Sequence, residues 1–197
     1  MILLVVGLVL FLGIHSTRVV ADGFRTRQLA SLGEATWKGL YTVVSIVGFV
    51  LIVVGYGQSR SDPTVLFTPP LWAYHLTIGL TLPAFWLLVA SKVPGNHLKA
   101  WIGHPMLAGT KVWALAHLAS NGRIGDVLLF GGFLVWAIVT FANSRRRDRR
   151  EGVTYRAGTL RGDVIVLIGG LVAWGAFAHL LHRWLIGMDP MVWLHAH

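Results

Sequence analysis

The sequence predicts an all-α, polytopic membrane helix bundle with six transmembrane helices, on three observations. Hydrophobic residues make up 55% of the 197 and charged residues 13%, with a mean hydropathy of +0.65, far from the profile of a soluble domain. The apolar residues gather into six runs, 2–20, 37–56, 71–90, 105–119, 127–142 and 164–186. Each comes close to the roughly 20 residues that cross a hydrocarbon core of about 30 Å. The charges gather too: Arg145, Arg146, Arg147, Arg149, Arg150, Arg156 and Arg161 fill the one long polar gap.

Lipid offers no partners to backbone N–H and C=O groups, so the runs must be helices, and they are too long for barrel strands. Run 2–20 has no basic residue before it and no small-x-small site ahead of Asp22, so it reads as a helix of the mature protein and not as a secretory signal. Run 37–56 follows a basic turn. Pro69 and Pro70 start run 71–90, and Pro83 predicts a kink within it. Pro105 suits the first turn of run 105–119, which makes His104 a capping residue. Asp126 and Asp163 precede the last two runs and read as N-caps. Without repeats or a long linker, residues 1–197 form one domain.

Lys and Arg orient the bundle. Three alternate turns carry Arg18, Arg25, Arg27 and Lys38, then Lys92 and Lys99, then the seven arginines; the opposite turns carry Arg60, Arg123 and Arg183. Thirteen against three makes the arginine-rich loop 144–162 cytoplasmic and both termini extracytoplasmic, in what reads as a bacterial inner membrane. The net charge of +9 is therefore a topology signal. The basic loop lacks the interleaved aromatics of a nucleic-acid site, and the bilayer itself is the partner it predicts.

Cysteine is absent, which excludes disulfides, thiolate ligands and a Cys nucleophile. No Ser/His/Asp triad, carboxylate pair or Gly-rich phosphate loop supports a hydrolase or a nucleotide-binding protein. The chemistry lies in histidine. His15, His75, His117, His179 and His182 fall inside the apolar runs, where an imidazole must face a partner across the bundle or serve a site. A rise of about 1.5 Å per residue brings His75, His117 and His179 to one layer near the outer boundary. Neutral imidazole ligates haem iron, zinc and copper, so that layer is the candidate metal or cofactor site. Lys111, seven residues beyond His104, either neutralises a ligand carboxylate such as a haem propionate or snorkels.

The stretch Phe11-Leu12-Gly13-Ile14-His15-Ser16-Thr17-Arg18, the run around Trp37-Lys38-Gly39-Leu40-Tyr41, and His104-Pro105-Met106-Leu107-Ala108-Gly109 followed by Trp113-Ala114-Leu115-Ala116-His117-Leu118 and Asn121-Gly122 resemble the NnrU domain family. The likeness covers nearly the whole chain. The family is linked to nitrite and nitric oxide metabolism in denitrifying bacteria, and includes a zeta-carotene isomerase that uses haem b to convert a cis double bond to trans. The resemblance implies haem b, with His15 and His117 as axial ligands and Phe177-Ala178-His179 as a matching C-terminal element. It also implies either an isomerase of a polyene lipid or a membrane partner or metal-delivery factor for nitrogen-oxide enzymes. The isomerase has a cysteine where this chain has Ala114, so thiolate switching is excluded here. Gly103 replaces the arginine that often precedes the His-Pro pair, which weakens a second likeness, to isoprenylcysteine methyltransferases. On the depth estimate, His15 and His117 lie roughly 10 to 16 Å apart along the membrane normal, against about 12 Å between the Cα atoms of a bis-imidazole iron.

Overall fold

A computed structural model describes residues 1–61 and 64–195. All regular structure in it is helical: α1 (Ile2–Val20), α2 (Asp22–Ser59), α3 (Leu71–Ala90), α4 (His97–Ile102), α5 (Pro105–Ser120), α6 (Ile124–Glu151) and α7 (Leu160–Ala176). Beyond α7 the same rod continues through a π turn (Phe177–Leu181) into α8 (His182–Ile186), and a 3₁₀ segment (Pro190–His195) follows. Five rods are long and apolar enough to cross a bilayer: α1, α2, α3, α6 and the α7 to α8 rod. The sixth expected span is α5. Its 16 residues rise about 24 Å, short of a full hydrocarbon core, although the chain does pass from one end of the bundle to the other along it.

Several boundaries differ from the sequence reading, each for a local reason. α2 begins at Asp22, fifteen residues before the apolar run, and turns at Gly33, whose φ of 77° only glycine adopts freely. Loop 144–162 is mostly helix: Arg145 to Arg150 extend α6 to Glu151, where Gly152 (φ 64°) closes it. Neither Asp126 nor Asp163 occupies the N-cap. Arg123 and Thr159 do, because each aspartate lies far enough inside its helix to bond elsewhere: Asp126 accepts from the Arg123 N–H at 2.9 Å and Asp163 from the His97 N–H at 2.9 Å. His104 does stand at the N-cap of α5 but makes no capping bond, since its ring is turned to Asp148. α3 runs through Pro83 as one helix.

The rods pack as a curved row, α2 on α1, α1 on α6, α6 on α5, α5 on α3, α3 on α7, and the row closes where α8 returns to α2. Burial of apolar area cannot hold such rods together inside lipid, so close backbone approach must, and glycine provides it. A methyl group on Gly55 would lie 2.2 Å from the Leu4 nitrogen, and one on Gly7 would lie 2.6 Å from the Ile52 nitrogen. Around that crossing Leu4, Leu8, Ile52, Tyr56, Leu129 and Phe130 form the buried cluster.

Polar bonds knit the two ends. At the arginine end the fully buried Asn96 donates to Ala90 O and Val93 O and caps α4 through the Lys99 N–H, while the His97 ring bonds Asp163 at 2.6 Å. At the far end Arg60 donates to Ile186 O, Arg123 donates to Arg60 O, and the loop before α3 pairs with Gly122.

Candidate functional site

The hollow of the curved row is a cavity at the far end. Its larger chamber, about 160 Å³, is lined from five directions: Tyr56 of α2, Thr77 and Ile78 of α3, Trp113 and His117 of α5, Phe130 of α6, and Phe177 and His182 of the C-terminal rod. A smaller chamber of about 50 Å³ shares His117 and His182 and adds Thr81 and Trp174.

The wall has polar residues but spends their polarity on the protein. Thr77 donates to Ala116 O at 2.7 Å, the Thr81 hydroxyl receives the Trp174 indole N–H at 3.0 Å, and the Tyr56 hydroxyl donates to Asp126 at 2.8 Å. What the cavity offers a ligand is mainly aromatic and aliphatic surface together with two imidazoles, with Tyr74, Ser120 and Asn121 also in the larger chamber's lining.

His117 is oriented by its own helix. A carbonyl only accepts, so the 2.9 Å contact from Nδ1 to Trp113 O puts the proton on Nδ1 and leaves Nε2 of the neutral ring as a lone-pair donor. Trp113 stands beside it at 5.2 Å and Phe130 leans on it at 4.7 Å, so the ring cannot swing freely. His182 is fixed in the same way by Met188 O at 2.9 Å.

The residues expected from the sequence are dispersed differently. His117 lines the cavity. His75 and His179 are exposed on the outside of the bundle, so the three-imidazole layer is not gathered. His15 belongs to a second aromatic group. Its Nδ1 bonds Phe11 O at 2.6 Å, its ring meets Phe11 at 4.3 Å and Tyr41 at 5.1 Å, and a run of contacts through Phe11, Phe133 and Trp113 links it to His117. Lys111 does not reach the cavity; its ammonium sits 3.7 Å over the Phe141 ring, a cation–π contact. Among the described residues no group of three or more His, Asp or Glu is assembled as a metal site.

His182 is among the histidines of the apolar runs but outside the layer expected from depth, and the π turn is what brings it to the cavity. An α-helix advances about 100° per residue, which would bring Leu181 round to the meridian of Trp174 and Ala178. A π turn advances less per residue, so over Phe177–Leu181 the register slips and His182 arrives there instead. Leu181 is left 47% exposed. No period in the sequence announces that slip.

Neither a curated protein nor a solved structure matches the chain. The NnrU protein family matches it over residues 3–190, which takes in α2 to α8, all but the first residue of α1, and the whole lining of the larger chamber. This helical membrane protein belongs to the NnrU family.

Proposed function

We propose that this protein holds haem b through His117 and acts on a slender polyene lipid, turning a cis double bond to trans without net oxidation. The observation that carries the reading is the His117 ring: its Nδ1 is committed to the Trp113 carbonyl, and its Nε2 is a free ligand on the wall of an apolar cavity. A histidine-ligated iron supplies an electrophilic centre with a position open to a π-bond. The chain supplies the rest. Thr77, Thr81 and Tyr56 turn their hydroxyls into the protein, so the cavity accepts hydrocarbon without stranding a polar group.

The donor set suits haem, being neutral imidazole beside aromatic walls with no thiolate required. The enclosed space is tighter. About 160 Å³ is close to the roughly 150 Å³ that takes one benzene ring, so it admits a stretch of polyene, and a macrocycle enters only as the wall formed by residues 177–191 moves outward. That wall is the least regular part of the bundle, a π turn, a five-residue helix and a 3₁₀ segment. The thirteen-to-three distribution of Lys and Arg supports a cytoplasmic arginine end.

The test is an absorption spectrum of protein purified after expression with haem supplied. A Soret band is expected, lost in His117→Ala and kept in His75→Ala and His179→Ala. A colourless wild-type protein overturns the reading.

A further inference from the structure

The arginine end carries a charged face that the cavity does not use. Beyond the apolar run that stops at Ala142, α6 continues as a helix to Glu151. One side of this extension is locked inward: Ser144 and Asp148 are 6% and 7% exposed, and Asp148 accepts from His104 at 2.7 Å and from the Tyr155 hydroxyl, with Arg145 at 3.9 Å. At about 100° per residue, Arg146 and Arg150 point the opposite way, with Asn143 and Arg149 flanking them. These four residues border a shallow concavity of about 470 Å³. Asp148 is already consumed on the inner side, and Glu151 lies nearest Arg147, one turn on from it, so the concavity has three guanidiniums and no carboxylate.

We propose that this concavity binds the headgroup of a phospholipid with two phosphates, of the diphosphatidylglycerol class. Position selects a lipid over a soluble anion. At about 1.5 Å per residue, Arg146 stands roughly 6 Å past Ala142, within a headgroup layer about 5 to 7 Å thick, and Arg149 and Arg150, roughly 10 to 12 Å past it, carry long side chains that lean back toward the helix N-terminus and so toward that layer. Charge selects two phosphates. Like charges at i, i+3 and i, i+4 repel, one phosphate leaves most of that repulsion uncompensated, and each guanidinium pairs a phosphate through two parallel bonds. The inward lock keeps the array assembled before the lipid arrives.

The experiment compares the wild-type protein, Arg146→Gln/Arg149→Gln/Arg150→Gln, and Arg147→Gln as a control for an arginine outside the concavity. Each is exchanged with phosphatidylcholine vesicles containing either diphosphatidylglycerol or phosphatidylglycerol at equal total charge, and retained lipid is counted by native mass spectrometry. The wild-type protein and Arg147→Gln should prefer the two-phosphate lipid. The triple variant should lose that preference, with retention falling about fivefold for each arginine removed. Equal retention of the two lipids by the wild-type protein, or an unchanged preference in the triple variant, overturns the proposal. All three arginines project outward, so the variants test binding and leave the fold intact.

Discussion

At the scale of single residues, stability rests on buried polar groups that have found partners. Asp126 is 5% exposed, receives the Arg123 N–H on one carboxylate oxygen and the Tyr56 hydroxyl on the other, and so joins α2 to the start of α6. Tyr56→Phe removes a donor without changing the ring and leaves a buried carboxylate oxygen short of one bond. A loss of about 1 to 3 kcal/mol is expected in a denaturant titration of the detergent-solubilised protein, with the helix content of the native baseline unchanged. Tyr155 lies outside the spans, where burial first, and its bond to Asp148 second, raise the phenol above its ordinary value of 10.0. Since the folded protein favours the neutral phenol, this contribution to stability is complete below pH 10 and is lost as the pH climbs through the raised value. The difference between ultraviolet titrations of the wild-type protein and of Tyr155→Phe should therefore show the missing phenol ionising later than a free one.

At the scale of elements, two kinds of fit decide the structure, and they differ in how readable they were beforehand. Six apolar runs were enough to find the rods, because the solvent enforces helix wherever hydrocarbon surrounds the chain. Packing was not readable. Gly55 and Gly57 look alike in the sequence, yet a methyl at Gly55 meets the α1 backbone at 2.2 Å and one at Gly57 meets nothing within 4 Å. Gly55→Ala is expected to cost about 1 to 3 kcal/mol as α1 and α2 are pushed apart, while Gly57→Ala, in open space on the same helix, should gain about 0.4 to 1 kcal/mol in the same titration. The candidate site divides in the same way. His117 was legible from its position in an apolar run and from the Trp-x-Leu-Ala-His motif; His182 was legible only as an imidazole in an apolar run, because a register slip in the helix backbone, and no residue type, turns it inward. His75 and His179 were misassigned to a common layer because depth along a helix says nothing about azimuth. Deleting the exposed Leu180 should convert the π turn to α-helix and leave His182 on the cavity, since His182 then takes the position that an unbroken α-helix turns to the meridian of Trp174 and Ala178. In haem-loaded protein His182→Ala should alter the Soret band while that deletion leaves it as in the wild type, and an unaltered band in His182→Ala would remove His182 from the site.

At the scale of the whole molecule, the number of passes matters more than the number of full-length spans. Five rods alone would leave the termini on opposite sides, whereas α5, running from one end of the bundle to the other, adds a sixth traverse to the path of the chain. Its first residue lies by the His104 and Asp148 bond at the arginine end, and its last lies by the Gly122 pairing at the far end. Reporter fusions should then give the same extracytoplasmic signal at both termini and a cytoplasmic signal when inserted in the segment 152–159. Opposite signals at the two termini would remove α5 as a crossing. The shortness of α5 has a further effect on the surrounding bilayer. A rod roughly 6 Å short of the hydrocarbon thickness draws its ends below the level of its neighbours. On the cavity side that places Ser120 and Asn121, which line the cavity together with His117, at the end of the shortest of the six rods.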